Sequence, residues 1–313
     1  MSLQRTWGRV VGALRGSSHA DSGEADVVLE KLETCYNVLL KAETGPIPPD
    51  VLCQLPVSLS MVSRESMACA NNIKFFVPWS EEALERHPRN LAPGPENVRL
   101  SRTEKILKDG SQYFIGIGAW HTYRWASHMS SRLVEEVDIA PRMGTEDNRR
   151  PLKSLTGWRH SEAIPDEPTL PQPWFYKRDS YDWHPDFYWT LRGNTYPHIK
   201  ITMHHGVDGV DGVLLREELL VIIVVMISRL ESENFRQHVI VPIMMFSFMG
   251  TRHGRILLAH CTQDGLVIEM SALYPFLVGE EDWCSSLALF TRFLAAGPSR
   301  ADTTRLPASV DLA

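Results

Sequence analysis

The chain has 313 residues, of which 43% are hydrophobic and 22% charged, with a formal net charge of −6. Those fractions exclude wholesale disorder and collagen-like or low-complexity architectures. The acidic balance argues against a protein that coats nucleic acid.

Residues 1–24 read as a flexible or targeting segment. Arg5, Arg9 and Arg15 occur without an acid in the first 20 residues, and Leu3, Trp7, Val10, Val11 and Leu14 fall on one helical face. That is the composition of a mitochondrial transit peptide or a membrane-surface helix. Gly8, Gly12 and Gly16 weaken such a helix. Otherwise the chain reads as intracellular, cytoplasmic or nuclear. The longest apolar run, residues 219–227, is nine residues, far short of the roughly 20 that span a bilayer. Five cysteines lie at wide spacings with no C-x-x-C, which points to reduced and mostly buried thiols.

Residues 25–137 read as mainly helical. Val28, Leu32, Cys35, Tyr36 and Leu39 form the stripe of a helix over 24–43, stopped by Gly45-Pro46 and Pro48-Pro49. Asp50 caps a short second helix. Residues 73–77 are a strand ended by Pro78, and Ser80 with Glu81-Glu82 starts a helix. Three prolines and a glycine make 88–97 a loop, and 113–115 is a short strand. Trp120, Trp125, Met129 and Leu133 place a helix over 119–137.

Residues 138–180 hold six prolines and no sustained apolar period. Structureless stretches of that length are uncommon inside compact domains, so this is a connector, a wrapped arm or a disordered insertion.

Residues 181–297 read as an α+β module. A strand over 199–203 precedes a helix over 214–230 whose apolar run implies burial on most sides. A strand over 238–248 must place Pro242 at an edge or bulge. Strands over 255–261 and 266–273 join through Asp264-Gly265, a hairpin signal for a type I′ turn. An amphipathic helix over 283–294 closes the module, and 298–313 reads as a disordered tail. The fold class expected is α+β, with a mixed or antiparallel sheet and a C-terminal module of helix, three-stranded meander and helix.

The residues at 238–250, 253–257, 264–268 and 273–274 resemble a group of uncharacterised proteins of filamentous fungi. That group is similar in its Arg-Glu-containing helix before the apolar strand, matched by Arg216-Glu217-Glu218. It also ends the last strand with an aromatic pair, matched by Tyr274 and Phe276, although Pro275 replaces the expected Asp. The resemblance covers roughly residues 190–297 and implies no activity.

Three constellations bear on chemistry. His204-x-x-x-Asp208-Gly209 resembles the signature of CoA-dependent acyltransferases. The resemblance implies His204 as general base on an acceptor hydroxyl or amine, with Asp208 orienting the site. The second signature of those enzymes, Asp-Phe-Gly-Trp-Gly, is absent. Asp211-Gly212 repeats the Asp-Gly pair, as turn-forming loops do. Asp182, His184 and Asp186 alternate and would share one face of a strand, a weak metal-ligand set broken by Pro185. Nuclease-like metal binding needs an acid-x-Lys element, and His198-x-Lys200 is the nearest form. Residues 174–189 carry eight aromatics, which either stack bases or, more often, anchor an arm by burial.

No phosphate loop, dinucleotide fingerprint or nucleophile elbow occurs, so no cofactor is implied. The leading expectation is a non-catalytic binding or interaction module, with a protein partner favoured over nucleic acid. An acyltransferase-like enzyme using His204 is the first alternative. A degenerate nuclease-like domain that binds nucleic acid is the second.

Overall fold

A computed structural model describes residues 23–69, 73–109, 119–166, 170–172, 183–250, 252–277 and 281–307. Residues 1–22 of the expected targeting segment, the strand over 113–115, the aromatic residues 174–182 and Asp182 lie outside them. The fold is α+β: eight helices and a mixed eight-stranded sheet among the described residues.

The first helix is α1 (Gly23–Leu39), followed by α2 (Pro49–Leu52), β1 (Val57–Val62), α3 (Arg64–Cys69), β2 (Phe76–Val77) and α4 (Glu81–Glu85). Next come α5 (Pro95–Asp109), α6 (Ala119–Asp138), β3 (Trp158–Ser161), β4 (Trp183–Leu191) and β5 (Ile199–His205). The chain ends with α7 (Arg216–Leu230), β6 (Ile243–Met249), β7 (His253–Cys261), β8 (Leu266–Ser271), β9 (Tyr274–Pro275), α8 (Glu281–Leu294) and β10 (Gly297–Pro298).

The sheet order is β1-β8-β7-β6-β5-β4-β3, with β9 on β7. Two antiparallel meanders, β3–β4–β5 and β6–β7–β8, meet at the parallel pair β5–β6. Parallel neighbours need a crossover, and α7 supplies it. The helix–meander–helix module is thus α7, β6–β7–β8 and α8.

Alternation along the strands assigns the two faces. Odd residues of β5 and β6 face α7, where Ser247 of β6 receives His205 and sits opposite Arg255 of β7, itself paired with Glu218 of α7. Even residues face α6 and α8, where Phe246 and Phe248 meet Phe290. All fifteen residues of α7 are buried, because α1 covers its outer side. That explains an apolar run without an amphipathic stripe.

Three consecutive charges tie down the start of α7. Arg216 Nε donates to the carbonyl of Leu39 at the end of α1, where a cation also meets the negative helix terminus. Glu217 accepts from the amide of Gly45. Glu218 accepts from the amide of Leu215 and pairs with Arg255.

Several boundaries differ from the sequence reading. Residues 57–62 form the edge strand β1, parallel to β8, and α5 starts at Pro95 inside the expected loop. The proline-rich stretch is packed in part: two 3-10 turns and β3 lie within residues 146–161, and Leu152 and Trp158 are buried. The tail is ordered over residues 298–307; the Thr303 carbonyl accepts from the amides of Val239 and Ile240. Cys35 and Cys261 are buried, but Cys53, Cys69 and Cys284 are exposed thiols.

The Asp264-Gly265 hairpin forms, but only Gly265 has positive φ, at +143°. A type I′ turn needs two such residues, so the turn is of another kind. Gly265 is there for close approach: a Cβ would fall 2.8 Å from the carbonyl carbon of Pro56, whose oxygen accepts from Leu266 at 2.9 Å. Gly265→Ala should therefore cost about 1–3 kcal/mol in urea denaturation. It should also raise amide exchange in β1. Wild-type stability in this variant would remove the close-approach argument.

Candidate functional site

The sequence-predicted residues meet at one end of the β4–β5 pair. His184 lies opposite His204 across the antiparallel ladder. Pro185 has no amide hydrogen to give the ladder, and the register shifts between Pro185 and Phe187. Asp186 is the extra residue of that bulge, and bulges re-aim side chains. The result is a hydrogen bond of 2.7 Å between His204 Nδ1 and Asp186 Oδ2. His184 Nδ1 stands 3.8 Å from the other carboxylate oxygen.

The three side chains step inward from solvent. His184 is 41% exposed, Asp186 17% and His204 3%. The ring of Tyr123 on α6 meets that of His204 edge-on at 4.4 Å between centroids. Thr122, one residue earlier, donates to the carbonyl of Gly206 and so fixes α6 to the end of β5.

Burial pushes the Asp186 carboxyl up, but the neighbouring charge of His204 and the polar side chains around the carboxylate outweigh it and leave the group at about 2. Asp186 is therefore a carboxylate at neutral pH. A carboxylate on Nδ1 selects the tautomer with its proton there when the ring is neutral. Nε2 is then a bare acceptor. It is buried and has no hydrogen-bond partner among the described residues.

His205 points to the other face, with Nε2 3.1 Å from Ser247 Oγ. Burial pushes it down to about 3. The adjacent histidines therefore do different work: His205 is held in the core, and His204 keeps a ring nitrogen without a hydrogen-bond partner among the described residues.

Asp208, expected to orient His204, is placed against Gly250 just past the end of β6. It packs so closely on Gly250 that a Cβ there would come within 2.8 Å of the Asp208 Cα. Asp186, on the preceding strand, takes the place beside the ring. Asp211 accepts from the amide of Leu273 at 2.6 Å. This second Asp-Gly pair therefore pins the loop after β5.

Among the described residues, no three histidine, cysteine, aspartate or glutamate side chains converge to hold a metal ion. Lys200, the lysine of the acid-x-Lys comparison, is buried under α8. Its Nζ donates to the carbonyls of Leu294 and Ala296 at 2.7 and 2.6 Å and lies 4.0 Å from the Trp158 ring centroid. It serves as a helix cap. Trp183, Tyr188 and Trp189 are buried in β4, as anchoring requires.

The Asp186–His204 contact is the part sequence reasoning missed. His184 and Asp186 were legible as neighbours on one strand, and His204 as part of a motif. Pro185 was the available signal, because a proline inside a strand implies a bulge. No helix among the described residues is long and apolar enough to cross a membrane. No protein-family profile, no curated protein and no solved structure matches this chain.

Proposed function

We propose that the protein is a binding module whose recognition site is the cluster of His184, Asp186 and His204. The supporting observation is a buried Nε2, without a hydrogen-bond partner among the described residues, on a ring whose other nitrogen is held by a carboxylate. An unsatisfied buried polar atom costs about 1–3 kcal/mol. A hydroxyl, amine or amide hydrogen from an occupant offsets that cost. The net charge of −6 favours a protein or small neutral occupant over a nucleic acid.

A second reading uses the same atom as a general base in acyl transfer. Nε2 would take the proton of an acceptor hydroxyl as its oxygen attacks a thioester carbonyl, then return it to the leaving thiolate. The fixed tautomer favours this role, since only a bare nitrogen accepts a proton.

Thermal melting of the full chain with a panel of small amides and alcohols, acetyl-CoA, Mg²⁺, Zn²⁺ and a short single-stranded DNA tests both. A ligand at 100 times its dissociation constant adds about 2.7 kcal/mol. The binding reading expects stabilisation by amides or alcohols that disappears in His204→Ala and weakens in Asp186→Asn. Stabilisation by acetyl-CoA with the same dependence moves the assignment to acyl transfer. A panel without His204-dependent stabilisation removes both.

A further inference from the structure

A second site lies away from His204, where α5, α6 and α8 meet. A cavity of about 460 Å³ opens there, within the range of small-molecule sites. One wall is charged. Arg132 of α6 bridges Glu104 of α5 and Glu136 at 2.8 and 2.6 Å. Arg142 pairs with Glu136, and Arg89 with Glu104 at 3.0 Å. Three arginines thus face two glutamates, leaving one positive charge in excess.

The donors on this wall are not all used. Arg132 is 1% exposed, yet its Nη1 has no hydrogen-bond partner among the described residues. Thr291 of α8 is also 1% exposed, and its Oγ1 is likewise unpartnered. Both residues line the cavity. Buried guanidinium donors without acceptors are rare because each forfeits solvation. The remaining wall is made by Leu84, Trp283, Leu287 and Ala288 with the thiol of Cys284.

We propose that this cavity binds a small monocarboxylate with an apolar body. The carboxylate would sit against Arg132 Nη1 and Thr291 Oγ1, and the body against the α8 wall. A carboxylate matches a guanidinium edge in shape. Its single charge balances the single excess, where a phosphate dianion would overshoot. The apolar half of the lining gives inorganic anions nothing to bury.

Calorimetric titration of the full chain with phenylacetate, phenylethanol and inorganic phosphate tests this. Phenylacetate should bind saturably at one site per chain, about tenfold or more tighter than phenylethanol or phosphate. Thr291→Val deletes the unpartnered hydroxyl at constant shape. It should weaken phenylacetate about tenfold while leaving the melting temperature of the free protein unchanged or higher. Ala288→Trp, at an exposed position on the rim, should block binding without touching the charged wall. The proposal is overturned by absent phenylacetate binding, by equal or tighter binding of the alcohol or phosphate, or by full affinity in both variants.

Discussion

Replacing Arg255 with Met should destabilise the protein by about 3–5 kcal/mol, read from urea denaturation. Arg255 is 1% exposed and Glu218 fully buried. The guanidinium meets the carboxylate through two nitrogens, one at 2.9 Å, and gives a third bond of 2.7 Å to the carbonyl of Val213. Burial alone pushes the Glu218 carboxyl up, and Arg255, helped by His205 and the Leu215 amide, more than reverses that. Without Arg255 the carboxylate would keep the amide of Leu215 and little else. Desolvated charge left alone is what makes such a change expensive. Removing both charges, as Arg255→Met with Glu218→Leu, should recover at least half of the loss, because a buried pair as a whole contributes little net stability. The single variant staying within about 1 kcal/mol of wild type would contradict this account. Both residues flank the loop that follows β5, so the pair also sets where α7 begins.

Acid should remove most of the stability between about pH 6.5 and pH 4. Three histidines are buried so fully that desolvation dominates, at His205 even against the charge of Glu218. Burial pushes His198 to about 4, His205 to about 3 and His260 to about 4. His198 Nε2 bonds the carbonyl of Phe75 at 2.9 Å, and the His260 ring packs against Phe75 at 4.9 Å. In the unfolded chain these rings protonate near 6.5. Below that pH the unfolded state binds more protons than the folded state, so stability falls as pH falls. Each ring moved to about 4 withholds roughly 2–3 kcal/mol by about pH 4. Three such groups rival the 5–15 kcal/mol that typically holds a domain together. Asp186 acts later: its pKa is depressed, so its contribution is lost only as pH falls from the ordinary carboxylate range toward about 2. Denaturant midpoints between about pH 7 and pH 4 measure the slope. His260→Gln should flatten it, and a slope unchanged in that variant would exclude the buried-ring explanation.

Long periodic elements were readable from sequence for a physical reason. The helices α6 and α8 each bury one face and so carry a period of 3.6, and β8 alternates with a period near 2, whereas α7 was readable as an apolar run of helix length. The elements that escaped lack one. β1 is a six-residue edge strand, and its partner β8 lies two hundred residues later. β3 has four residues and one buried side chain. The helix α5 is polar and begins at a proline, which marks a loop as often as a first helical residue. Pro242 has no amide hydrogen for a ladder, so within the apolar run at 238–248 the strand β6 starts only at Ile243.

The site was legible only in pieces. His204 stood out because two histidines precede two Asp-Gly pairs. The carboxylate beside it could not be chosen from sequence, since Asp208 is nearer along the chain than Asp186. The choice depends on the cross-strand register of His184 with His204 and on the bulge at Pro185. Neither is a local property. The arginine wall was invisible for the same reason: Arg89, Arg132, Arg142 and Thr291 come from four separate segments. The charges at 216–218 were visible, but not that each ties down a different neighbour.

A long-range proton–nitrogen NMR spectrum of the His204 ring tests the recognition site most directly. The ring should be identified by the signals lost in His204→Ala. The account predicts that the neutral ring in the free protein carries its proton on Nδ1 and leaves Nε2 bare. In Asp186→Asn the side-chain amide can donate to Nδ1, and the proton should move to Nε2. A proton on Nε2 in the wild-type protein, or a ring indifferent to Asp186→Asn, would contradict it.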